Sequence, residues 1–562
     1  MGKSNLAIPG LGDQSNRSCR EHKSLPGIGA PVTRRAGIFQ DETIHASTDR
    51  RRSERSPKKP LVVMKFGGTS VGDASCIKRV VEIIRTASRA NNVVVVVSAM
   101  SGVTNKLLEA ASQAEAGNCN EVVAILEELN KHHVEASRAL ISSTAERNRL
   151  DKKVQDIFHQ ADHLCQGTIL LRELTQRARD SISGLGERIS APLVAAALAE
   201  CGTASEAIEA SELVVTDSYH GAAEPLMDQT RLSCEARLLP LLRQGITPVV
   251  TGFIAATTEG VLTTLGRGGS DYSATILGAA LGADEVIIWT DVDGVLTADP
   301  RLVTGVRTIP EISYREAAEL SFFGAKVLHP KTLRPVMQSE IPVWIRNTFS
   351  PERPGTRITP KGSPNGGRVK ALTAINDVAL ITVGGPGIVG VRDVLGRTFT
   401  TTATVRADVL LISQSSSQND ICFLVPSAIA TRTVEALRRE FAQDLAHEKV
   451  EHITLDANVA IVAVVGEKMR GTPGIVGRTF GALGRENISV IAIAQGSSEC
   501  NISFVVAQSD AKAALLATHK EFGLGTEFTA SSDKMSVNAD GAPQSRMIGG
   551  QMNEASLGAS AD

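Results

Sequence analysis

Aromatic side chains make up only 3% of the 562 residues, with two Trp and three Tyr, so any core must be built from Val, Leu, Ile and Ala. The eight cysteines (Cys19, Cys76, Cys119, Cys165, Cys201, Cys234, Cys422 and Cys500) form no CxxC pair. That scatter excludes a disulfide framework and a zinc site and reads as reduced thiols. No uninterrupted apolar run approaches the ~18 residues that a membrane span requires. A net charge of −2 gives no reason to expect nucleic acid or an anionic membrane as partner. The GxxxxGK[ST] phosphate loop, the HRD and DFG motifs of protein kinases and a GxGxxG turn after the first strand are all missing. What remains is a chain with 42% apolar and 21% charged residues, a globular composition, and too long for one core.

The ends differ from the middle. Residues 1–59, with "NRSCREHK" and "TDRRRSERSPKK", mix charge with Gly, Pro and Ser without sustained periodicity. They read as a disordered arm, as do the polar residues 531–562. The arm has no apolar segment of the secretory kind, and Leu6 stands where a myristoylation motif wants Ser or Thr. The expected location is cytoplasmic. Import into an organelle by this arm stays open, although Glu21, Asp41, Glu42 and Asp49 are unusual for a transit peptide.

Between the ends, strand-like and helix-like segments alternate. "LVVMKFGGTSVG" (61–72) is an apolar run entering a glycine loop, and "NNVVVVVSAMSGVTN" (91–105) repeats that grammar. So do "GITPVVTGFIAAT" (245–257), "DEVIIWTDVDGV" (284–295) and "EIPVWIRNT" (340–348), with segments of helical period such as "CIKRVVEIIRTAS" between them. This alternation predicts an α/β domain, three-layered with a mainly parallel sheet, whose ligands bind at the carboxyl ends of the strands. The loops there carry Lys65, Gly67, Gly68, Thr69 and Ser70, then Ser98 and Thr104, and "GLGERIS" (184–190) offers Glu187 in another small-residue loop that opens a helix. "LGRGGSD" (265–271) adds Arg267, Ser270 and Asp271, "TDVDGVLTADPR" adds Thr290, Asp291 and Arg301, and "FFGAKVLHP" adds Lys326. Any one of these is explained as an ordinary turn. Together they suit a polyphosphate, with backbone N–H groups at helix starts, two lysines and an aspartate able to orient them.

In family order, "VMKFGGTSVG", "SAMSGVTN", "GLGERIS", "LGRGGSDYSA", "WTDVDGVLTADPR" and "FFGAKVLHPKT" resemble aspartate kinases of the amino-acid kinase superfamily, over residues 60–360. The resemblance implies ATP and Mg²⁺ as cofactors and L-aspartate as acceptor, on the route to lysine, threonine and methionine. It assigns Lys65, Asp271 and Lys326 to catalysis. It assigns Lys65, Gly67, Gly68, Thr290, Asp291, Arg301 and Lys326 to ATP. Ser98, Thr104, Glu187, Arg267 and Ser270 match positions that hold the amino acid, with Glu187 facing its ammonium and Arg267 gripping a carboxylate. No direct metal ligand is assigned. Leu296 departs from the family, which commonly has tyrosine in "DGVYT".

The last third repeats itself. "PGIVG…RTF" occurs at 386–399 and 473–480, and "SQSSSQNDICFLV" (413–425) answers "AQGSSECNISFVV" (494–506) 81 residues on. Each copy reads strand, glycine turn, helix, strand, turn, strand. The pair resembles ACT modules, of ferredoxin-like α+β fold, expected at 370–455 and 456–530. The resemblance implies amino-acid sensing and assembly into a homodimer or larger homo-oligomer. The Gln414 and Gln495 stretches are most like the threonine-sensitive kinases fused to homoserine dehydrogenase, with no dehydrogenase expected here and lysine as the rival effector. Two other readings stand beside this one: another amino-acid kinase, or a regulatory subunit without strong catalysis.

Overall fold

A computed structural model describes residues 59–324, 328–363, 367–385, 393–414, 420–496 and 500–525. In chain order the catalytic part forms β1 (Leu61–Phe66), β2 (Asn92–Val97), β3 (Ser205–Ile208), β4 (Val215–Thr216), β5 (Thr247–Thr251) and β6 (Ile254–Thr257). There follow β7 (Leu262–Thr264), β8 (Glu285–Thr290), β9 (Glu311–Ser313), β10 (Val343–Asn347) and β11 (Thr356–Thr359). Eight of them make one sheet in the order β3-β5-β2-β1-β8-β10-β11-β9, parallel except where β11 runs against β10. Helices cover both faces, which is why β1 and β2, apart from Lys65 and the opening Asn92, are apolar without alternating.

The two faces belong to separate cores. Val62, Met64 and Phe66 face the helices Ala74–Ala90, Val103–Ala116 and Leu185–Glu200. Val63 faces the other way, towards helix Gly269–Leu281. The period of two along a strand therefore puts Lys65 on the Val63 side. β1 lies between β2 and β8, where the chain reverses its direction of travel across the sheet. Such a switch point opens a crevice at the strand ends.

The run 245–257 follows the strand-then-loop grammar and adds a second strand: β5 ends at Thr251, and the chain turns at Gly252–Phe253, where Phe253 takes φ 67° and its N–H donates to the Ser273 hydroxyl. The chain there leaves the large sheet for a three-stranded one of β4, β6 and β7. One sequence expectation needs correction: the helical stretch Gln176–Glu200 reaches a mean hydropathy of 1.2, long and apolar enough to cross a membrane by composition. The reason is packing, since 78% of that window is buried inside the protein. Ile182, Leu185, Ile189, Leu193 and Leu198 supply the core beneath the sheet.

The last third forms β12 (Ala371–Gly384), β13 (Leu411–Gln414), β14 (Asp420–Pro426), β15 (His452–Val465), β16 (Ala492–Ala494) and β17 (Asn501–Ala507). They make one antiparallel sheet, β13-β14-β12-β15-β17-β16. The repeat is exact in position: β15, helix Ile475–Arg485 and β17 start 81 residues after β12, helix Val394–Thr404 and β14. The six extra residues of the first copy, "VRDVLG", are balanced in the second by "EKMRGT" ahead of its "PGIVG". Each long strand serves both modules. Leu372 of β12 packs in the second core while Ala379, Ile381 and Val383 pack in the first; Ile453 of β15 joins the first and Ala460, Val462 and Val464 the second. The division expected between 455 and 456 thus falls inside β15.

Candidate active site

β1 ends at the switch point and hands over to a short 3₁₀ turn, Gly68–Val71. Gly67 N–H donates to the Trp289 carbonyl of β8 (3.1 Å), and the Ser70 hydroxyl meets that of Thr348 (2.7 Å). This pins the glycine loop between neighbouring strand ends. Ser98 N–H donates to the Phe66 carbonyl (3.1 Å), so the loop after β2 lies alongside, and helix Val103–Ala116 starts from it with Thr104 in its first turn.

Helix Gly269–Leu281 approaches from the opposite rim. Gly268 precedes it at φ 71°, a left-handed conformation that lets "GRGGSD" turn straight from β7 into the helix. Asp271 falls in the first turn, and its Oδ1 lies 2.5 Å from Lys65 Nζ, an ion contact rather than an aligned hydrogen bond. Lys65 is buried, with 8% of its surface exposed, so a central-strand ammonium faces a helix-start carboxylate at the base of the crevice.

Glu187 arrives by another route. It sits at no strand end, but in the first turn of helix Leu185–Glu200, after the Gly184 joint. The Ser190 hydroxyl donates to the Ser98 carbonyl (2.7 Å), tying that helix to the loop after β2. Glu187 is buried and its Oε2 has no hydrogen-bond partner. Burial pushes its carboxyl up to about 8, against the Ala99 N–H and the charge of Lys65, which favour ionisation. A buried acid with an unused oxygen is a receptor for a cation.

These groups line one cleft of about 780 Å³: Lys65, Gly67, Gly68, Ser98, Thr104, Glu187, Arg267, Ser270, Asp271, Thr290 and Asp291. Arg301 is not part of its wall. Asp299, two residues earlier in the chain, holds its guanidinium at 2.6 and 3.0 Å. Leu296 is also absent from the wall and bridges to Thr308 instead. Lys326 lies outside the described residues. Gln414 ends β13 and Gln495 follows β16, both exposed on the outer strands of the regulatory sheet. Sequence reasoning missed Arg179 and Asp180, which also line the cleft. Their signal was present in "RARDSISGLGERIS", where Asp180 precedes Glu187 by about two helical turns.

Residues 60–347 match the amino acid kinase family, and residues 381–441 and 462–522 each match the ACT domain. The chain is 37% identical over 468 residues to the bifunctional aspartokinase/homoserine dehydrogenase 1, chloroplastic, of Zea mays, which covers 82% of this chain and 50% of that protein. It is 31% identical over 514 residues to aspartokinase 1, chloroplastic, of Arabidopsis thaliana, covering 89% of this chain and 87% of the relative. The chain thus spans about half the length of the fused relatives and most of the single-function one. E. coli aspartokinase III, solved with aspartate and ADP, superposes with a TM-score of 0.69 at 30% identity, over 82% of this chain and 100% of that one. The same enzyme solved with lysine and aspartate gives 0.68. With the cleft, the ordered motifs and the paired modules all in agreement, the chain belongs to the amino acid kinase family, among its aspartokinases.

Proposed function

We propose that this protein transfers the γ-phosphoryl group of ATP to the side-chain carboxylate of L-aspartate, giving 4-phospho-L-aspartate and ADP. The observation that carries the reading is Glu187, a buried carboxyl in the wall of the cleft whose Oε2 has no hydrogen-bond partner, in the same lining as Lys65 and Arg267. An α-ammonium completes that oxygen, and the Arg267 guanidinium takes the α-carboxylate as a bidentate pair. The side-chain carboxylate is then left facing Lys65. It is already a nucleophile at neutral pH, so catalysis needs alignment and charge neutralisation rather than a strong base. One carboxylate oxygen bonds to the γ-phosphorus as the bond to the β–γ bridging oxygen breaks, and the electron pair leaves with ADP. Lys65 and the N–H groups of the turn at Gly67–Gly68 lie where negative charge grows on the moving group.

The donor set also fits magnesium. No group of three or more His, Cys, Asp or Glu gathers among the described residues, and Mg²⁺ is commonly held by one or two carboxylates together with substrate phosphates. Asp271 and Asp291 are the carboxylates at the phosphate end that would hold it. When bound, the ion neutralises phosphate charge.

The test is ADP release with a panel of amino acids, together with aspartate titration in buffers of different ionisation enthalpy. Aspartate turns over fastest, and its binding near pH 7 releases up to one proton as Glu187 ionises against the ammonium. No aspartate turnover, with another amino acid used instead, would falsify the assignment.

We read the paired modules as a sensor for a small amino acid, threonine being favoured and lysine the rival, in a homo-oligomer joined through these modules. Gln414 and Gln495 occupy equivalent places, and an amide offers both donor and acceptor. Threonine inhibits the wild type, and Gln414→Ala or Gln495→Ala weakens that inhibition with little change in uninhibited turnover. Inhibition by lysine alone overturns the threonine choice.

A further inference from the structure

Glu187 and Arg267 come from distant parts of the chain, and together they fix where the α-carbon of a bound amino acid sits relative to Lys65. A single buried side chain ties those parts together. Asp180, 2% exposed, lies on helix Gln176–Ser183, which runs through Gly184 into the helix carrying Glu187. Its Oδ1 accepts the hydroxyl of Thr264 at 2.6 Å, and Thr264 ends β7 three residues before Arg267. Its Oδ2 accepts the N–H of Gly221 at 2.9 Å and lies 2.9 Å from Nδ1 of His220. The loop of His220 and Gly221 then supports the arginine's own turn. Ala223 N–H donates to the Thr264 carbonyl (2.9 Å), and Gly266, at φ 76°, packs so closely that a Cβ there would stand 2.9 Å from the Gly221 carbonyl.

We propose that Asp180 is a positioning and specificity-determining residue: it holds the ammonium reader Glu187 and the α-carboxylate reader Arg267 in register, which fixes where the α-carbon sits, and so the length of side chain that brings its carboxylate to Lys65. This rests on the proposed substrate reading of the cleft. The chemistry favours a carboxylate. Three donors converge on two oxygens, and an amide keeps Gly221 and His220 only by reversing the Thr264 hydroxyl from donor to acceptor and by giving up the charge that strengthens all three bonds. Loss of the tie frees β7 and the arginine turn relative to the Glu187 helix. Most of the nucleotide end (Lys65, Gly67, Gly68 and Thr290) is held by the β1 and β8 strand ends, and Asp271 rides on helix Gly269–Leu281, which Ser273 ties to Phe253, so ATP should feel the change far less than aspartate.

The experiment is steady-state kinetics of the full chain with ATP, aspartate and its one-carbon-longer homologue glutamate, beside thermal melting. Asp180→Asn is expected to raise the aspartate KM at least tenfold and to cut the aspartate-over-glutamate preference in kcat/KM at least fivefold, with the ATP KM within twofold. Thr264→Val should move the same way by a smaller factor, and Thr264→Ser, which restores the hydroxyl, should return to wild type. If Asp180→Asn fails to fold, the Thr264 pair decides. Unchanged aspartate KM and preference overturn the proposal. So does an equal loss for ATP and both amino acids in step with a lower melting temperature, which marks a general structural role. Wild-type turnover of aspartate tests the substrate reading separately. Should the wild type use another amino acid, the same ratios are taken on that acid and its longer homologue.

Discussion

The two regulatory modules are copies inside and strangers outside. In the first, Arg397 donates to the Glu440 side chain (2.7 Å) and carbonyl (2.9 Å) and lies 4.4 Å from the Phe441 ring centre. In the second, Arg478 does the same to Glu521 (2.9 and 2.7 Å) and lies 4.7 Å from Phe522. Phe399 meets Phe423 edge to face, and Phe480 meets Phe504. Outward contacts differ. His519 Nε2 lies 3.1 Å from the Thr297 hydroxyl, Arg307 donates to the Leu524 carbonyl (3.0 Å), and Glu467 N–H donates to Glu316 (2.9 Å). Asn501 reaches Glu319 as well. Ala298 and Val303, just past the Thr290–Asp291 strand end, are built into the second module's core. At the equivalent of His519 the first module has Arg438, which donates to Ile453 of its own sheet. One fold therefore serves two purposes: the second copy grips the nucleotide-side chain segment through polar contacts, whereas the first adds Leu380, Leu411 and Leu424 to an apolar core shared with the catalytic part.

The largest expected effect breaks this comparison at the cores. Phe423 and Phe504 are both fully buried, and either change to Ala should cost about 3–5 kcal/mol locally. Only Phe504→Ala should also impair uninhibited turnover and raise the ATP KM several-fold, because its core contains Ala298 and Val303. Phe423→Ala should chiefly weaken amino-acid inhibition. Equal kinetic damage from both would show that the modules act on the cleft as one block.

A smaller effect sharpens the likeness. Arg397→Ala should destabilise by about 1 kcal/mol, from a cation–π contact and charge-assisted hydrogen bonds. Arg478→Ala should cost less, since half of its side chain is exposed whereas Arg397 has a further partner in Asp444 at 2.9 Å. Chemical denaturation of the two variants under one condition orders them, and the reverse order would show that the second clamp is reinforced by docking.

How much of this was legible in the sequence follows from the range of each interaction. Strand–loop–helix grammar around Lys65 and Asp271 is local, and both residues lie where that grammar places them. The 81-residue repeat is likewise a pattern of residue types. The break at Phe253, the Asp299 grip on Arg301 and the passage of β12 and β15 through both modules were not legible. Each depends on what the backbone meets in space: the Ser273 hydroxyl for Phe253, a two-residue side-chain turn for Arg301, and antiparallel pairing across the whole sheet for the long strands. Glu187 was legible too, in a small-residue loop that opens a helix, and it lies in the first turn of helix Leu185–Glu200.

The smallest effect concerns the histidine contact between the second module and the catalytic part. Burial, and then the nearby Arg307 guanidinium, hold the His519 imidazole below its usual range near 6.5. The folded protein therefore keeps the ring neutral at pH values where the unfolded chain has begun to protonate. The stability that comes from this burial is complete above about pH 6.5 and is lost as pH falls below it. Protonation also places a positive charge beside the Arg307 guanidinium and fixes Nε2 as a donor to the Thr297 hydroxyl. Between pH 7 and 5.5 the melting temperature should fall by about one to two degrees through this site, and the ATP KM should rise by about twofold as the 297–307 segment loosens. His519→Gln should flatten both dependences, because an amide can still meet the hydroxyl and has no proton to gain. Arg438→Gln, the same position in the other module, should leave both pH profiles as in the wild type. If the two substitutions alter the profiles equally, the second module's grip on the nucleotide segment does not run through His519.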